Sequence, residues 1–348
     1  MIDYPIHIGP DALPSLGAAI RQGGYTQVLV LADDNTHRLC YPLLKPHIPA
    51  HSLVQVIGPG EAHKHLGTCV HLWSAMTAAH LDRKALVIDL GGGVIGDMGG
   101  FVAATYKRGI AFAQVPTTLL AQVDASVGGK LGIDFEGYKN HIGIFAEPQG
   151  VYIDPVFLRT LPDSELRSGF AEVVKHHLIA DAAAWEALRQ PVPLRQRDFT
   201  ALVRHSVDIK RRIVASDPYE RGPRKALNFG HTLGHALESE RLDTGSPLLH
   251  GEAVAVGMVC ETWLSHRRGL LRSAQLDEVT TFLLDQFPPV AIAEDEMEPI
   301  CRRTLHDKKN EGGEVRYTLL DGIGGFRVDQ PVPMHEAQEA LAFYAGCC

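Results

Sequence analysis

Along residues 1–155, short β-branched runs alternate with stretches of helical periodicity. Gln27 to Ala32, Ala85 to Leu90, Ile110 to Val115 and Val151 to Ile153 predict strands, and the spacing between them leaves room for helices. That rhythm predicts a mostly parallel sheet. After Leu161-Pro162 the pattern changes: Asp163 or Ser164 is an N-cap candidate, and helical periodicity dominates from there, broken near Pro191-Val192-Pro193 and Asp217-Pro218. Val315 to Leu320 and Gly325 to Val328 predict a short late hairpin. The strongest apolar run, Ala253 to Cys260, lies between Glu252 and Glu261. It is far shorter than the roughly 20 residues of a membrane helix and predicts a buried core helix instead. The expectation is an α/β domain over residues 1–158 followed by a mostly α-helical domain over 159–348, because a chain this long exceeds the size at which one core keeps growing.

Composition narrows the function classes. Of 348 residues, 45% are hydrophobic and 21% charged, an ordinary balance for a globular chain. A formal net charge of −8 provides no basic footprint for nucleic acid, so an anionic ligand has to meet a local cluster of Lys and Arg. Cys40, Cys69, Cys260, Cys301 and the pair Cys347-Cys348 form no C-x-x-C unit and no dense framework. Met1-Ile2-Asp3-Tyr4-Pro5 opens without a charged n-region or an apolar h-region. The expected location is the cytoplasm, with no membrane partner.

The predicted strand ending at Leu90 runs into Gly91-Gly92-Gly93-Val94-Ile95-Gly96-Asp97, which fits G-x-G-x-x-G between a strand and a helix. Such a turn offers backbone N–H groups to a pyrophosphate at a helix N-terminus and predicts a Rossmann-like dinucleotide-binding domain. Asp33 and Asp34 follow the first strand, where a carboxylate can accept from a ribose hydroxyl, although a surface role is the expectation for Asp34. Gly60-Glu61-Ala62-His63-Lys64 adds another acid and a cation. Further on come Asp124, Lys130 beside Gly128-Gly129, then Lys139-Asn140, with Arg108 upstream. Three cations and a carboxamide beside glycines suit a phosphate or carboxylate ligand.

Read as one helix, Arg224, Asn228, His231, His235 and Glu238 fall on a single face, with Leu227, Leu233, Ala236 and Leu237 free to pack and Gly230 and Gly234 open to another backbone. His250 follows twelve residues after Glu238. Imidazoles so placed suit zinc, iron, copper or nickel. In the helix predicted near Glu165, Glu172 and Lys175 are neighbours on a mostly apolar surface, where a charge needs a partner or a metal. Glu172, His231 and His250 together supply three ligands and leave positions open, the arrangement of a catalytic site.

Six ordered blocks carry a resemblance. They are Gly91-Gly-Gly-Val-Ile-Gly-Asp97, Gln114-Val-Pro-Thr-Thr-Leu-Leu-Ala121, Val123-Asp-Ala-Ser-Val-Gly-Gly-Lys130, Gly169-Phe-Ala-Glu-Val-Val-Lys175, Asn228-Phe-Gly-His-Thr-Leu-Gly-His235 and His250-Gly-Glu-Ala-Val-Ala-Val-Gly-Met258. In these the chain resembles, essentially end to end, the 3-dehydroquinate synthase family of the sugar phosphate cyclases. The resemblance implies zinc or cobalt on Glu172, His231 and His250. It implies NAD on Asp33, Gly60, Glu61, Lys64, Gly93, Val94, Ile95, Gly96, Asp97, Thr117, Thr118, Asp124, Lys130 and Lys139, with Phe157, Leu158, Arg159 and Thr160 closing the site. The substrate, a phosphorylated sugar acid, would meet Lys210 and Arg224 at its carboxylate, and Lys130, Asn140, Arg108 and Lys308 or Lys309 at its phosphate. Asp124, Lys175, Asn228 and His235 complete the substrate set, and Lys130, Lys175, Asn228 and His235 are the expected catalytic residues. In the family the arginine matching Arg108 reaches over from a neighbouring subunit, which implies a homodimer.

The implied reaction oxidises the substrate transiently with NAD, eliminates phosphate, returns the hydride, opens the ring and closes a carbocycle by aldol addition. Ala125, Leu131 and Glu147 stand where serine, threonine and glutamine are common in the family, and none is an expected ligand or cation. Three rivals are distinguished: a cyclase such as 2-epi-5-epi-valiolone synthase, whose substrate lacks the carboxylate; a metal-dependent polyol dehydrogenase, which releases NADH at each turnover; and a catalytically dead binding or regulatory homologue, which activity of the purified protein would exclude.

Overall fold

The computed structural model describes residues 4–136, 138–306 and 315–348. Two compact units emerge: residues 1–162 with 198–211, and residues 163–197 with 212–348. The expected division at 158/159 lies beside the one at Pro162, and the return of 198–211 to the first unit had no counterpart in the hydrophobic pattern.

In the first unit eight strands form, β1 (Ile6–Ile8), β2 (Val28–Asp33), β3 (Leu53–Ile57), β4 (Leu86–Gly91), β5 (Ala111–Pro116), β6 (Lys130–Phe135), β7 (Tyr138–Phe145) and β8 (Val151–Ile153). Its helices are α1 (Ala12–Gly23), α2 (Asp34–Leu39), α3 (Tyr41–Leu44), α4 (Leu66–Ala78) and α5 (Gly93–Thr105). Six strands make one sheet in the order β1-β8-β5-β4-β2-β3, every neighbouring pair parallel. Alternation along β2 explains how both faces are buried. Leu29 and Leu31 pack with Cys69, Leu72 and Met76 of α4 and Met98 and Phe101 of α5. Val28 and Val30 pack on the opposite face with Leu13, Leu16 and Ile20, the helically spaced stripe of α1. The chain leaves β2 for β3 on one side and β4 for β5 on the other, so the strand order reverses between β2 and β4. A crevice outside the carboxyl ends of such strands is where open α/β sheets bind ligands. Strands β6 and β7 form a separate antiparallel hairpin.

The second unit is helical: α6 (Asp163–Ala180), α7 (Ala182–Leu188), α9 (His231–Asp243), α10 (His250–Arg267), α11 (Ser273–Gln286), α12 (Glu294–Arg303) and α13 (Met334–Cys347), while α8 (Phe199–Ser216) contributes its last turn. Helix α10 is its axis, buried on all sides from Ala253 to Thr262 and packed against α6, α9, α11 and α13. That fits the apolar run read as a core helix. Strands β9 (Arg316–Leu320) and β10 (Phe326–Pro331) form the expected antiparallel hairpin. Among the described residues no helix is long and apolar enough to cross a membrane.

Candidate active site

Glycine contacts bring the three helices carrying Glu172, His231 and His250 together. A Cβ on Gly251 would lie 2.1 Å from the Ser168 carbonyl oxygen, so the first turn of α10 sits directly on α6, where Gly251 N–H donates to Ser168 Oγ at 2.9 Å. A Cβ on Gly257 would lie 1.9 Å from the Gly230 carbonyl, and one on Gly234 3.0 Å from that of Ala253. Helix α9 therefore lies backbone to backbone on α10, which only glycine permits.

At this junction Glu172 Oε1 stands 3.3 Å from His231 Nε2 and 3.4 Å from His250 Nε2. Donors about 2.0–2.2 Å from one tetrahedral ion are separated by ~3.4 Å, so these distances fit three ligands of a shared cation. Glu172 is fully buried and its Oε1 accepts no hydrogen bond among the described residues. Lys175 pairs with its Oε2. Burial alone would raise the Glu172 carboxyl, but the Lys175 ammonium and the two imidazoles outweigh it and hold the group well below the usual range. His231 Nδ1 lies 3.0 Å from the Phe229 carbonyl, which only accepts, so Nδ1 carries the proton and Nε2 presents its lone pair. His250 Nδ1 faces Glu238 Oε2 at 3.5 Å. Burial lowers the His231 imidazole, whereas the Glu172 and Glu238 carboxylates outweigh burial at His250 and raise it to about 9. His235, one turn beyond His231, is exposed, its ring 5.0 Å from that of His231 and 5.6 Å from that of His250. Nitrogens of the three imidazoles lie within 4.8 Å of one another.

The five-residue stripe is not one helix. Pro223–Asn228 is a 3-10 turn and α9 starts at His231, because Gly230 adopts a left-handed φ of 78° and gives its N–H to buried Glu261 at 2.6 Å. Only His231, His235 and Glu238 share α9. Arg224 is buried in the preceding turn, where its Nη1 donates to the Pro218 carbonyl at 2.5 Å, and Asn228 donates to Glu220 at 2.7 Å. Asp217 organises this loop by accepting the N–H groups of Arg221, Gly222 and Arg224 at 3.0, 2.7 and 3.1 Å. Burial would raise its carboxyl, but those donors outweigh burial and lower it. Asp217 and Glu220 escaped the sequence reading, which registered Asp217-Pro218 only as a helix break.

In the first unit the glycine turn joins β4 to α5 at the strand reversal. Its three spaced glycines have different surroundings. A Cβ on Gly91 would meet Ile95 at 2.5 Å, one on Gly96 would meet Gln114 Oε1 at 2.7 Å, and one on Gly93 meets only Ala125, at 3.7 Å. Gly93 is thus the position left open for a ligand, as the dinucleotide motif requires of its middle glycine. No side chain among the described residues caps α5. Lys64, reached through Gly60 and Glu61, pairs with Asp97 at 2.7 Å. Thr117 N–H donates to the Gly91 carbonyl at 3.0 Å, and Thr118 abuts Gly92. Val94 and Ile95 complete the first turn of α5. Asp33 sits at the carboxyl end of β2, its side chain capping α2 through Thr36 N–H at 2.8 Å. Asp124 lies in a π-helical turn, Ala121–Ala125, and pairs with Lys210 at 2.9 Å.

Other expected residues lie on the hairpin and beyond it: Asn140 N–H donates to Asp134 Oδ1 at 2.7 Å and Asp134 N–H to the Lys64 carbonyl at 2.8 Å, which sets Asn140 near the Lys64–Asp97 pair. Lys130 opens β6 opposite Phe145, whereas Lys139 and Asn140 lie near the hairpin's other end, about 16 Å along the ladder. All three are exposed. Arg108 follows the far end of α5, about 20 Å of helix away from Gly93. The Phe157 ring is buried in the core beneath the sheet, and Leu158 is buried beside it, leaving Arg159 and Thr160 exposed. Lys308 and Lys309 lie outside the described residues.

Residues 54–168 match the family described as 3-dehydroquinate synthase N-terminal, and residues 169–310 the one described as 3-dehydroquinate synthase C-terminal. The chain is similar to the 3-dehydroquinate synthase of Parabacteroides distasonis, 41% identical over 324 residues that make up 92% of each chain. It is similar in structure to the 2-epi-5-epi-valiolone synthase of Streptomyces hygroscopicus subsp. jinggangensis with NAD+ and Zn2+ bound, at a TM-score of 0.85 and 28% identity over 100% of this chain and 98% of that one. A 2-deoxy-scyllo-inosose synthase complexed with carbaglucose-6-phosphate, NAD+ and Co2+ shares the fold, at a TM-score of 0.84 and 23% identity over 98% and 97% of the two chains.

Proposed function

Because the chain belongs to the 3-dehydroquinate synthase family, we propose that it converts 3-deoxy-D-arabino-heptulosonate 7-phosphate into 3-dehydroquinate and phosphate, a step of aromatic amino acid biosynthesis. The observation that carries this reading is the cluster of buried Glu172 and His231 with half-buried His250 at cation-ligand distances, in a chain related along its length to enzymes of that name. When bound, NAD takes a hydride from the substrate and later returns it, and a zinc or cobalt ion acts as a Lewis acid on the hydroxyl being oxidised.

Glu172 Oε1, His231 Nε2 and His250 Nε2 would hold the ion, and Lys175 balances the buried carboxylate. We assign dinucleotide binding to the first unit: the N–H groups from Gly93 to Asp97 would take the pyrophosphate, and Asp33, Gly60, Glu61, Lys64, Thr117, Thr118, Asp124, Lys130 and Lys139, with the backbone from Phe157 to Thr160, would complete the cradle. Lys210 and Arg224 would receive the substrate carboxylate, Lys210 exchanging its present partner Asp124 for it. His235, exposed on α9, would move protons during ring opening and aldol closure, and Asn228 would orient the carbonyls. Lys130, Asn140 and Arg108, with Lys308 or Lys309, would position and neutralise the phosphate. Arg108 stands a full helix length from the turn of its own chain, which supports a homodimer in which it serves the neighbouring copy. The buried thiols of Cys40, Cys69, Cys260 and Cys301 are free, as the reducing cytoplasm we propose for the enzyme would keep them.

The test incubates purified protein with the heptulosonate phosphate, catalytic NAD and zinc or cobalt, following phosphate and the carbocycle. Many turnovers per NAD, abolished by a chelator, are expected. Inertness towards that substrate with cyclisation of sedoheptulose 7-phosphate would replace this reading with the valiolone-type cyclase. Stoichiometric NADH without phosphate would point to a dehydrogenase.

A further inference from the structure

Strand β4 carries one ionisable side chain in an apolar run, Leu86, Val87, Ile88, Asp89, Leu90. The strand is central, so Asp89 is fully buried. Across the ladders it faces Leu31 of β2 and Gln114 of β5. Gln114 Nε2 donates to Asp89 Oδ2 at 3.2 Å and to the Gly96 carbonyl at 2.9 Å, so one amide links the sheet to the first turns of α5. The helix lies on this pair with nothing between: a Cβ on Gly99 would fall 2.0 Å from Asp89 Oδ1. Oδ1 has no hydrogen-bond partner among the described residues.

A buried carboxylate with one amide donor and no cation in contact among the described residues is strongly disfavoured. Burial pushes the Asp89 carboxyl well above its ordinary range, and the charge of Asp97 adds to this. Asp97 is the ionisable neighbour on α5, and Lys64 answers its charge. The flanking strands present only Leu31 and Gln114.

We propose that Asp89 and Gln114 form a buried positioning pair, fixing the Gly96 carbonyl and with it the turn of α5 on which the dinucleotide phosphates rest. The inference depends on reading that turn as the NAD site. Asp89 does this as an uncharged acid: a carboxylate behind the turn would repel the pyrophosphate, whereas the neutral group still accepts from Gln114. Neither residue touches the cofactor. The third glycine of the motif, Gly96, and Gly99 are small so that α5 can reach this pair.

The experiment compares NAD binding by calorimetry, and melting from pH 4 to pH 9, for wild type, Gln114→Met and Asp89→Asn. Q114M keeps the volume but cuts the link, and its NAD dissociation constant rises about tenfold. D89N keeps the neutral acceptor, and its affinity stays near wild type. Folding shifts the Asp89 carboxyl upward, so wild-type stability falls as pH rises above the unfolded value of about 3.9 towards the folded one. D89N lacks that loss, so its melting advantage is smallest at pH 4 and grows with pH. Wild type that binds NAD while Q114M binds equally well overturns the inference alone. D89N weakened as much as Q114M overturns it too, because a neutral acceptor would then not suffice. Wild type that binds no NAD overturns the cofactor reading and this inference with it. Should Q114M not fold, a D89N melting difference that stays flat across the pH range overturns the pair's neutral state.

Discussion

Helices α5 and α9, one in each unit, are both thirteen residues long, and each follows a glycine N-cap, Gly92 and Gly230, with no capping side chain among the described residues. They differ in what the glycines there leave open. At the start of α5, a Cβ on Gly93 would meet only Ala125 among the described residues, and none of their side chains caps the first N–H groups of the helix. At the start of α9, Gly230 lies on Met258 and Val254 of α10, and its N–H is taken by Glu261. The first arrangement leaves backbone uncovered, which suits the ligand proposed there. The second spends the backbone on packing and presents side chains, His231 and then His235, in its place. Glycine thus serves two purposes that only its neighbours distinguish.

The largest effects fall on the side-chain centre. His250→Ala removes one of three donors and should lower turnover by about a thousandfold, with metal content lost by elemental analysis. Turnover and metal content near wild type would break the assignment of Glu172, His231 and His250. Next come the packing glycines. Gly257→Ala sets a methyl 1.9 Å from the Gly230 carbonyl and should destabilise by more than about 3 kcal/mol in denaturant titration, because the obstacle is backbone. Gly99→Ala meets the Asp89 side chain and should cost about 1–3 kcal/mol. Equal costs would mean that α9 has more freedom on α10 than the contact distances allow.

Sequence patterning reached these two regions unequally. The glycine turn was legible because a β-branched run, three spaced glycines and the next helix are consecutive in the chain, and the parallel sheet around it followed from the same rhythm. The single helix expected over Arg224 to Glu238 was not found, since a period of 3.6 residues carries no information about the left-handed Gly230 that splits it. The pairing of Glu238 with His250 is tertiary: a loop separates them, and its path is set by Gly251 against Ser168. Asp89 left a clear signal, one acid within an apolar strand, but its partner Gln114 is supplied only by the strand order.

The loop before α9 offers a third use of backbone donors, since three N–H groups converge on Asp217. The protein's own carboxylate occupies there what α5 leaves open. Those donors lower the Asp217 carboxyl on folding, so its contribution is present above the unfolded value of about 3.9 and is lost as pH falls below it. Asp217→Asn should lower the melting temperature by roughly 2–4 °C at pH 7, with the difference closing below about pH 4. A gap of the same size at pH 7 and at pH 3 would assign the effect to packing rather than to charge.

The smallest effect on stability should accompany a marked effect on binding. Gly93 has no left-handed φ, and a Cβ there meets only Ala125 at an ordinary van der Waals distance. Gly93→Ala should therefore fold like wild type, within about 0.5 kcal/mol, since alanine is also the better helix former. On the proposed reading the added methyl would nonetheless stand where the pyrophosphate approaches the backbone, so NAD affinity should fall while zinc affinity of the second unit is unchanged. Calorimetric titration of each ligand separates the outcomes. If G93A binds NAD normally, the open space beside Gly93 is not the phosphate site, and the contrast between α5 and α9 becomes one of packing alone. If it binds neither NAD nor zinc, the small effect expected on folding is wrong.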